Sequence, residues 1–375
     1  MDLPQIDDYK DLFLHDTPLL DVRAPVEYGQ GAFPQAMNLP LMNDEERQAV
    51  GLCYKQQGQE QAIALGHELV SGDIKETRVD HWNEFTRQHP SGALYCFRGG
   101  LRSKICQQWI FDKTGVVYPR VKGGYKALRR YLLDELDNAS NQMQFMILCG
   151  RTGVGKTLLL NQLEYKIDLE GIFMHRGSAF GKRTVSQPSQ IDVENKLSIA
   201  LLKHRSNNRT RLVLEDEAVN IGSRRLPDSI VNAMKQSPLV MLETSLDQRI
   251  NNVVDEYVRK DLADYQLKLG EDPGFDVWAE NLQSSLAKIH KRLGGLRYQN
   301  LKNSLLNAIQ AQRTSGELEN HKDWIGPLLT DYYDPMYDYQ LEKKAERVVY
   351  RGNEAEVLHY ISEQIIKHEQ EQYLL

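Results

Sequence analysis

The chain has 375 residues, of which 41% are hydrophobic and 26% charged, with a formal net charge of −6. This length favours two or three domains, each large enough for its own core, and the composition is that of an ordinary globular protein. No apolar run approaches the length of a membrane span. The negative net charge argues against a protein that binds nucleic acid over its whole surface.

The four cysteines show neither paired spacing nor the spacing of a metal site; they are Cys53, Cys96, Cys106 and Cys149. Free thiols of this kind suit a reducing compartment, so we expect a cytoplasmic protein without structural zinc. Cys53, Cys106 and Cys149 lie on apolar patterns, and core packing explains them.

Residues 1–136 are predicted to form an α/β domain in which short strands alternate with helices. Strands are expected at 18–23, 36–40, 93–95 and 116–118. A helical pattern begins after Asn43, a predicted N-cap, and its glycines favour two helices over one. Further helices are predicted at about 103–111 and 125–136.

Cys96 stands just after the strand at 93–95 and just before a helix. Backbone N–H groups at a helix start, together with Arg98 and Arg102, would create a positive potential around its sulfur. Such a site favours a thiolate, and it would equally hold a terminal persulfide or selenide anion. We therefore predict that Cys96, Arg98 and Arg102 are catalytic; the alternative is an inert loop cysteine.

Several short motifs of this segment together resemble a rhodanese (sulfurtransferase) domain: Asp21-Val22-Arg23, Gly31 with Asn38-Leu39-Pro40, the cysteine loop ending in Arg102-Ser103, and Gly123-Gly124. From Cys96 to Arg102 the loop has seven residues, whereas typical rhodaneses have six. The longer loop is similar to that of the rhodanese-related cell-cycle phosphatases and arsenate reductases. The resemblance thus leaves open a phosphatase-like activity or the transfer of a chalcogen larger than sulfur.

After a polar boundary at 137–142, a second motif begins with an apolar strand at 145–149. It continues as Gly150-Arg151-Thr152-Gly153-Val154-Gly155-Lys156-Thr157, which has the spacing G-x-x-x-x-G-K-[ST], and a helix is predicted at 156–166. In such a loop the backbone N–H groups surround an anion, the lysine adds a charge, and the threonine hydroxyl suits Mg²⁺. We predict a phosphate-binding loop rather than a plain glycine turn.

Carboxylates follow a second apolar strand at 211–214, where a Mg²⁺ partner of the phosphate loop is expected. Asp216 is the first choice as Mg²⁺ partner with Thr157, Glu217 is a candidate base or outer ligand, and Glu215 is the third candidate. Another core strand is predicted at 239–242. Residues 137–246 are accordingly predicted to form a P-loop NTPase-like domain with a parallel sheet.

Two stretches are rich in basic residues, 98–130 and 176–211, and favour a polyanionic partner. The loop at 175–183, expected after a short strand at 172–173, would line the phosphate site or else lie free on the surface. Candidate contacts to RNA or phosphate are Arg176, Lys182, Arg183, Arg224 and Arg225.

Residues 247–375 are predicted to form a largely helical region packed on the P-loop domain. The segment 324–339 is rich in aromatic residues, which would either stack on bases or pack this region onto its domain. We expect the second alternative, and we expect a monomer.

The order of a rhodanese-like module and then a P-loop module closely resembles the bacterial tRNA 2-selenouridine synthase family, most strongly at the Cys96 loop and at 150–157. The resemblance implies an enzyme that converts wobble 2-thiouridine of tRNA into 2-selenouridine. It further implies S-geranylation from geranyl diphosphate, then replacement of the S-geranyl group by selenium derived from selenophosphate, without haem or flavin.

The residues suit this chemistry, because a departing diphosphate needs a phosphate loop and a selenium anion needs a site such as Cys96. One competing hypothesis is an ATP-dependent RNA sulfurtransferase that uses a Cys96 persulfide. Another is a non-enzymatic protein that senses anions and uses the P-loop as a switch.

Overall fold

The structure is a computed structural model that describes residues 3–207 and 209–373. Its strands in these ranges are β1 (Gln5–Ile6), β2 (Leu19–Asp21), β3 (Ala36–Asn38), β4 (Ala93–Tyr95), β5 (Arg120–Val121), β6 (Gln144–Cys149), β7 (Lys166–Ile167), β8 (Arg211–Glu215), β9 (Asn220–Ile221), β10 (Arg224–Arg225), β11 (Leu239–Leu242) and β12 (Val348–Gly352).

The α-helices in the same ranges are α1 (Tyr9–Leu14), α2 (Pro25–Gly29), α3 (Asp44–Gln57), α4 (Gln59–Leu69), α5 (Gly72–Gln88), α6 (Leu101–Thr114), α7 (Gly124–Gln142), α8 (Lys156–Leu160), α9 (Leu169–Phe173), α10 (Gln190–Ser206), α11 (Asp228–Gln236), α12 (Leu246–Val253), α13 (Asp261–Leu269), α14 (Glu271–Lys288), α15 (His290–Leu293), α16 (Gly295–Ser315), α17 (Lys322–Leu328), α18 (Asp334–Glu342) and α19 (Glu354–Tyr373). Two π-helical segments join α12 to α13 (Val254–Lys260) and α17 to α18 (Leu329–Tyr333). No helix within the described ranges is both long and apolar enough to cross a membrane.

The chain divides into two compact units. Unit 1 contains the residues up to 139 together with 188–207, and unit 2 contains 140–187 together with the residues after 207. The sequence placed 188–207 in the P-loop domain, whereas the contacts of this stretch are with unit 1.

The sheet of unit 1 is parallel throughout its described strands, in the order β1-β5-β4-β2-β3. Leu19, Leu20 and Leu94 are completely buried in its core. Because parallel strands end at the same sheet edge, the loops that follow β2 and β4 lie side by side. This edge therefore brings together the polar residues after Asp21 and the loop that begins at Cys96.

Helix α10 completes the core of unit 1. Its side chains Ile199 and Leu202 are buried in the same cluster as Phe13 and Leu128. The hydroxyl of Ser198 donates to the carbonyl oxygen of Leu132 over 2.6 Å. A helix distant in sequence thus covers apolar surface that the first 139 residues would otherwise expose.

The sheet of unit 2 is also parallel, in the order β12-β11-β6-β8-β7. Strand β6 lies at its centre, so the phosphate loop that follows leaves the middle of the sheet beside the end of β8. Helix α19 buries Val357 and Ile361 against these strands. The region after 247 is helical except for β12, an edge strand that its sequence did not reveal.

The predicted α/β class with parallel sheets is confirmed, while the rhodanese assignment of unit 1 stays a prediction. Several predicted elements are wrong. Residues 137–142 continue helix α7 instead of forming a loop, because they contain no glycine or proline and bury Ala139, although the division between the two units does fall within this stretch, after Ala139. The stretch 172–173 is helical rather than extended, since the Asp168 side chain caps α9 by accepting from the N–H of Gly171.

Two further elements differ in their bounds. Helix α8 ends at Leu160, not near residue 166, because Lys166 and Ile167 pair with β8. The strand expected at 116–118 is absent; Val117 is 51% exposed, and the strand pairs form at 120–121 instead.

Candidate functional site

Cys96 lies at the carboxyl end of β4, in the short loop that leads into α6. Its side chain is buried, with 3% of the residue exposed, and its Sγ lies 3.2 Å from the Oγ of Ser103. The Ser103 hydroxyl in turn donates to the carbonyl oxygen of Gly100 over 3.0 Å. The sulfur therefore faces the first turn of α6, where helix N–H groups favour an anion.

The segment 120–125 packs closely against the backbone of this loop and holds it in place. The N–H of Tyr125 donates to the carbonyl oxygen of Cys96 over 2.9 Å, and Arg120 donates to that of Gly99 over 2.8 Å. Gly99 and Gly124 have positive φ angles of +64° and +57°, which glycine adopts without strain. The predicted Gly123-Gly124 motif thus serves the cysteine loop, although it lies more than twenty residues further along the chain.

A group of charged side chains connects the loop to α2. Arg102 donates two hydrogen bonds to the carboxylate of Glu27, 2.6 and 3.1 Å long, and Arg47 lies 3.0 Å from the same carboxylate. Although burial alone would raise it, the hydrogen bond and charge of Arg102 lower the pKa of Glu27. Two guanidinium groups share one carboxylate, which leaves a net positive charge next to the sulfur loop.

The other predicted members of this site lie in different surroundings. Arg98 is exposed at the tip of the loop. Cys106 is fully buried in the core of unit 1, and burial raises the pKa of its thiol well above the ordinary value. Burial likewise raises the pKa of the Cys149 thiol to about 11. Both cysteines are packing residues, as their apolar sequence surroundings indicated.

The phosphate loop of unit 2 joins β6 to α8 with the predicted conformation. Gly150, Gly153 and Gly155 have φ angles of +153°, +80° and +96°. A Cβ at Gly153 would lie 2.8 Å from the carbonyl oxygen of Arg249, so only glycine fits there. The Nζ of Lys156 donates to the carbonyl oxygen of Gly150 over 3.2 Å and thus reaches across the loop.

Glu215 is the carboxylate that the structure brings to this loop. The Thr157 hydroxyl donates to Glu215 Oε1 over 3.0 Å. Asp216, the first choice from the sequence, is instead paired with Lys344, whose Nζ donates to Asp216 Oδ1 over 2.7 Å. Glu215 is the last residue of β8, and Asp216 follows it and still donates its N–H to the carbonyl oxygen of Leu148 in β6. Successive residues of an extended chain point to opposite faces, so the register of β8 decides which of the two reaches Thr157.

A cluster of carboxylates surrounds this point. Burial, and then the charge of Glu170, raises the pKa of Glu215 to about 8, and the same two causes raise that of Glu217 to about 8. The pKa of Glu170 is also raised, mainly by burial, while its Oε1 accepts a hydrogen bond of 2.7 Å from the N–H of Gly177. Burial and mutual repulsion thus favour the protonated carboxyl groups here, and a bound cation would favour their ionised forms.

The oxygen atoms of Thr157 and Glu215 fit a Mg²⁺ ion, which is bound by few protein ligands together with substrate phosphates. No group of three or more cysteine, histidine or carboxylate side chains suited to hold a metal by itself occurs in the described residues. A Mg²⁺ ion at this site would consequently depend on phosphate oxygens for the rest of its coordination.

Helix α18 braces the phosphate loop through two ion pairs. Arg249 donates to both oxygens of Asp334 over 2.6 and 2.9 Å and to the carbonyl oxygen of Thr152 over 2.9 Å. Arg151 donates to both oxygens of Asp338, with its shortest contact at 2.7 Å. Arg151 thus points to α18, while the lysine and threonine of the loop face the carboxylates.

The basic candidates for RNA contact fall into different groups. Arg176 is 5% exposed, and its guanidinium contacts Asp261 at 2.7 Å and Glu256 at 2.8 Å, an arrangement that anchors the 175–183 loop. Lys182 is exposed and Arg183 partly buried near the carboxylate cluster. Arg225 is exposed and pairs with Asp228 at 2.7 Å, and Arg224 is partly buried in the hairpin of β9 and β10.

The aromatic segment 324–339 mainly packs its own region. Trp324 and Tyr333 are buried with Phe180 and Trp278 in one cluster, whereas Tyr339 is 61% exposed. Most of these aromatic residues therefore pack within the helical region itself, and Phe180 is the buried residue through which their cluster includes the predicted P-loop domain.

Sequence reasoning did not single out Glu27, Glu170, Asp334, Asp338 or Lys344. Each contacts a predicted site residue except Asp334, which pairs with Arg249 beside Thr152. The signal for Glu170 is a carboxylate two residues after the Asp168 cap, which is common at any helix start. Nothing local distinguishes the others from ordinary surface charges.

Comparisons with a family model and with individual proteins identify the same family. Residues 143–368 match the family described as tRNA 2-selenouridine synthase AAA domain. A tRNA 2-selenouridine synthase of Marinobacter nauticus is 54% identical over 349 residues, which cover 93% of this chain and 95% of that protein. Those of Pseudomonas putida and Hahella chejuensis are 49% and 51% identical, over 97% and 95% of this chain and 98% and 94% of theirs.

These matches run through both units and include the Cys96 loop and the phosphate loop within their span. The chain belongs to the tRNA 2-selenouridine synthase family.

Proposed function

We propose that this protein is a selenotransferase that converts wobble 2-thiouridine of tRNA into 2-selenouridine through an S-geranyl intermediate. The names of its relatives support the overall reaction. The two-step course is supported by one observation above all: the chain contains two separate loops whose geometry suits an anion, the Cys96 loop and the phosphate loop. Each suits one half of the reaction.

In the first half the nucleobase sulfur attacks C1 of geranyl diphosphate. The C–S bond forms, the C–O bond breaks and diphosphate leaves, while the N3 proton of the base passes to solvent. The N–H groups of residues 150–157 and the ammonium group of Lys156 are placed to hold the departing diphosphate. Thr157 and Glu215 would hold Mg²⁺, which supplies further neutralisation of this charge.

In the second half, water cleaves the P–Se bond of selenophosphate, phosphate leaves, and the released hydrogen selenide enters the Cys96 loop. A selenium anion held in the Cys96 loop attacks C2 of the base, the C–Se bond forms, and the C–S bond breaks with loss of geranylthiolate. Arg102 and the first turn of α6 supply the positive potential that this anion needs. Alkylation in the first half matters because it turns a thiocarbonyl sulfur into a leaving group.

The remaining parts of the proposal rest on the same chemistry. Exposed Lys182 and Arg225 and the partly buried Arg183 and Arg224 are candidate contacts for the tRNA backbone. A cytoplasmic location, a monomeric state and a selenophosphate-producing partner stay predictions from the sequence.

Mass analysis of nucleosides from tRNA tests the proposal. With 2-thiouridine tRNA, geranyl diphosphate and a selenium donor, we expect Lys156→Ala to lose S-geranyl product by about 100-fold or more, as removal of such a charge stabiliser does. Cys96→Ser is expected to accumulate S-geranyl-2-thiouridine and to form no 2-selenouridine. Matched controls are Lys166→Ala and Cys53→Ser, which lie outside both loops.

Geranylation at the normal rate by Lys156→Ala would contradict the role of the phosphate loop. Loss of both products in Cys96→Ser would assign that residue to structure. Consumption of ATP, with sulfur transfer and no need for a prenyl diphosphate, would establish the ATP-dependent sulfurtransferase instead.

A further inference from the structure

Unit 1 contains a cavity of about 830 Å³ that no step described above uses. It lies between α3, α4 and the start of α6, and its lining is mainly apolar, including Val50, Ile63, Ile105 and Trp109. Pockets for small organic molecules typically measure about 300–1,000 Å³ and are largely apolar. The size and lining of this cavity therefore suit a hydrocarbon ligand.

The rim of the cavity leaves apolar side chains in water. Leu52 on α3 and Leu101 at the start of α6 both line it and are 53% and 45% exposed. A hydrocarbon chain bound in the cavity would cover these two leucines and remove their apolar surface from water.

Part of the cavity lining is charged, and Arg102 within it interacts electrostatically with Cys96, which itself does not line the cavity. Glu27, Arg47 and Arg102 all belong to its lining, and the two guanidinium groups share the single carboxylate. The residue after Arg102 is Ser103, whose Oγ lies 3.2 Å from the Cys96 sulfur. An apolar space and a net positive charge near Cys96 thus occur together within one unit.

We propose that this cavity binds the isoprenoid chain of the S-prenyl nucleoside while selenium is transferred. The inference rests on the proposed function and identifies where its intermediate is held. The prenyl chain is bonded to the sulfur on C2, the carbon that a selenium anion at Cys96 attacks. The chain must therefore lie beside the Cys96 loop during this step.

The charged and apolar parts of the lining match the two ends of the leaving group. As the C–Se bond forms and the C–S bond breaks, negative charge collects on the departing thiolate, next to Arg102. The chain itself is apolar and is removed from water by the lining. Binding of the chain therefore selects prenylated over unmodified thiouridine at the selenation step.

Two substitutions that narrow the cavity test this assignment. Gly51 lies in the interior of α3 and lines the cavity, and a Cβ there would meet no atom within 4 Å, so Gly51→Leu adds bulk without a clash at its Cβ. Ile63→Trp enlarges a partly buried lining residue on α4. The matched control is Gln56→Leu, which adds a leucine at an exposed position of α3 outside the lining.

The full-length proteins are given RNA that already carries S-geranyl-2-thiouridine or S-methyl-2-thiouridine, and 2-selenouridine is measured by single-turnover mass analysis. We expect the unsubstituted protein to prefer the S-geranyl RNA by about tenfold or more in kcat/KM. Both narrowing variants should lose this preference while they react with S-methyl RNA within about twofold of normal, and Gln56→Leu should keep it. Thermal unfolding of each variant verifies that it is folded.

Selenation of S-geranyl RNA at the normal rate by both folded narrowing variants would overturn the assignment. Equal loss with both RNAs would also overturn it, and would make the cavity a docking site for a selenium-delivering protein or part of the framework. Failure of the proposed function gives a different result: the unsubstituted protein would leave S-geranyl RNA unchanged and form 2-selenouridine directly from 2-thiouridine RNA.

Discussion

At the scale of single residues, the backbone of the Cys96 loop packs so closely on Gly124 that no side chain fits at that position. A Cβ at Gly124 would lie 2.2 Å from the carbonyl oxygen of Cys96 and 2.4 Å from the nitrogen of Gly99. The φ angle of Gly124 is +57°, a region that other residues occupy only at a cost. Such backbone atoms cannot move without moving the loop.

Gly124→Ala is accordingly expected to lower the free energy of unfolding by about 1–3 kcal/mol and to abolish selenation. Denaturant unfolding and the nucleoside assay measure the two effects. Gly100→Ala is the stability control, since a Cβ at Gly100 would meet no atom within 4 Å and its φ angle is −94°. Equal stability of the two variants would refute the steric argument.

The carboxylate beside Thr157 predicts a pH dependence. The pKa of Glu215 is raised to about 8 in the folded protein from an ordinary value of 4.5, chiefly by burial. The folded state therefore favours the protonated acid. Its contribution to stability is complete below about pH 4.5 and is lost as the pH rises through about 8.

Glu215→Gln, which cannot ionise, should raise the melting temperature at pH 8.5 and change it little at pH 5. A gain of several degrees is expected, because each kcal/mol corresponds to about 2–4 °C in a unit of this size. Scanning calorimetry without phosphate ligands measures it, and Glu342→Gln at an exposed position is the control. The same shift at both pH values would exclude ionisation as its cause.

At the scale of elements, α18 makes two ion pairs with the phosphate-loop region that differ in burial. Arg249 is 4% exposed and is paired with Asp334, whereas both side chains of the Arg151–Asp338 pair are over 40% exposed. Loss of one partner leaves a charge without compensation in the buried pair and a solvated charge in the exposed pair.

Asp334→Asn should therefore lower the free energy of unfolding by about 3–5 kcal/mol. Asp338→Asn, on the same helix, should lower it by no more than about 1 kcal/mol. Urea unfolding of the two variants makes the comparison. A similar cost for both would show that burial does not decide the contribution of these pairs.

At the scale of the whole molecule, unit 1 depends on a helix from a later part of the chain. Asn195 donates to the carbonyl oxygen of Ala32 over 2.7 Å, and Ile199 and Leu202 complete the apolar core. A fragment that ends at residue 139 lacks all three and exposes their contact surface.

The fragment 1–139 is expected to melt at least about 5 °C lower than a version with residues 188–207 attached through a flexible linker. Scanning calorimetry of the two fragments provides the test. As a control, the attached segment carries Ile199→Asp and Leu202→Asp, which should remove the gain. Equal melting temperatures of the fragments with and without the intact segment would show that unit 1 is complete without α10.

The two loops with clear chemistry could be predicted because each is a continuous stretch. Cys96 with its following helix, and residues 150–157, each form a strand, a loop and a helix start in one continuous stretch, so a short sequence is enough to predict this geometry. Their strands and the parallel α/β class followed from the same local patterns.

Contacts between distant residues were decided only by the tertiary structure. Glu215 and Asp216 have the same local pattern, and only the register of β8 turns the first toward Thr157 and the second toward Lys344. The Glu27 partner of Arg102 and the docking of α10 likewise join residues 65 or more positions apart. The sequence determined which groups can hold an anion, because that property is local; the fold determined their carboxylate partners, because pairing depends on how separate elements pack.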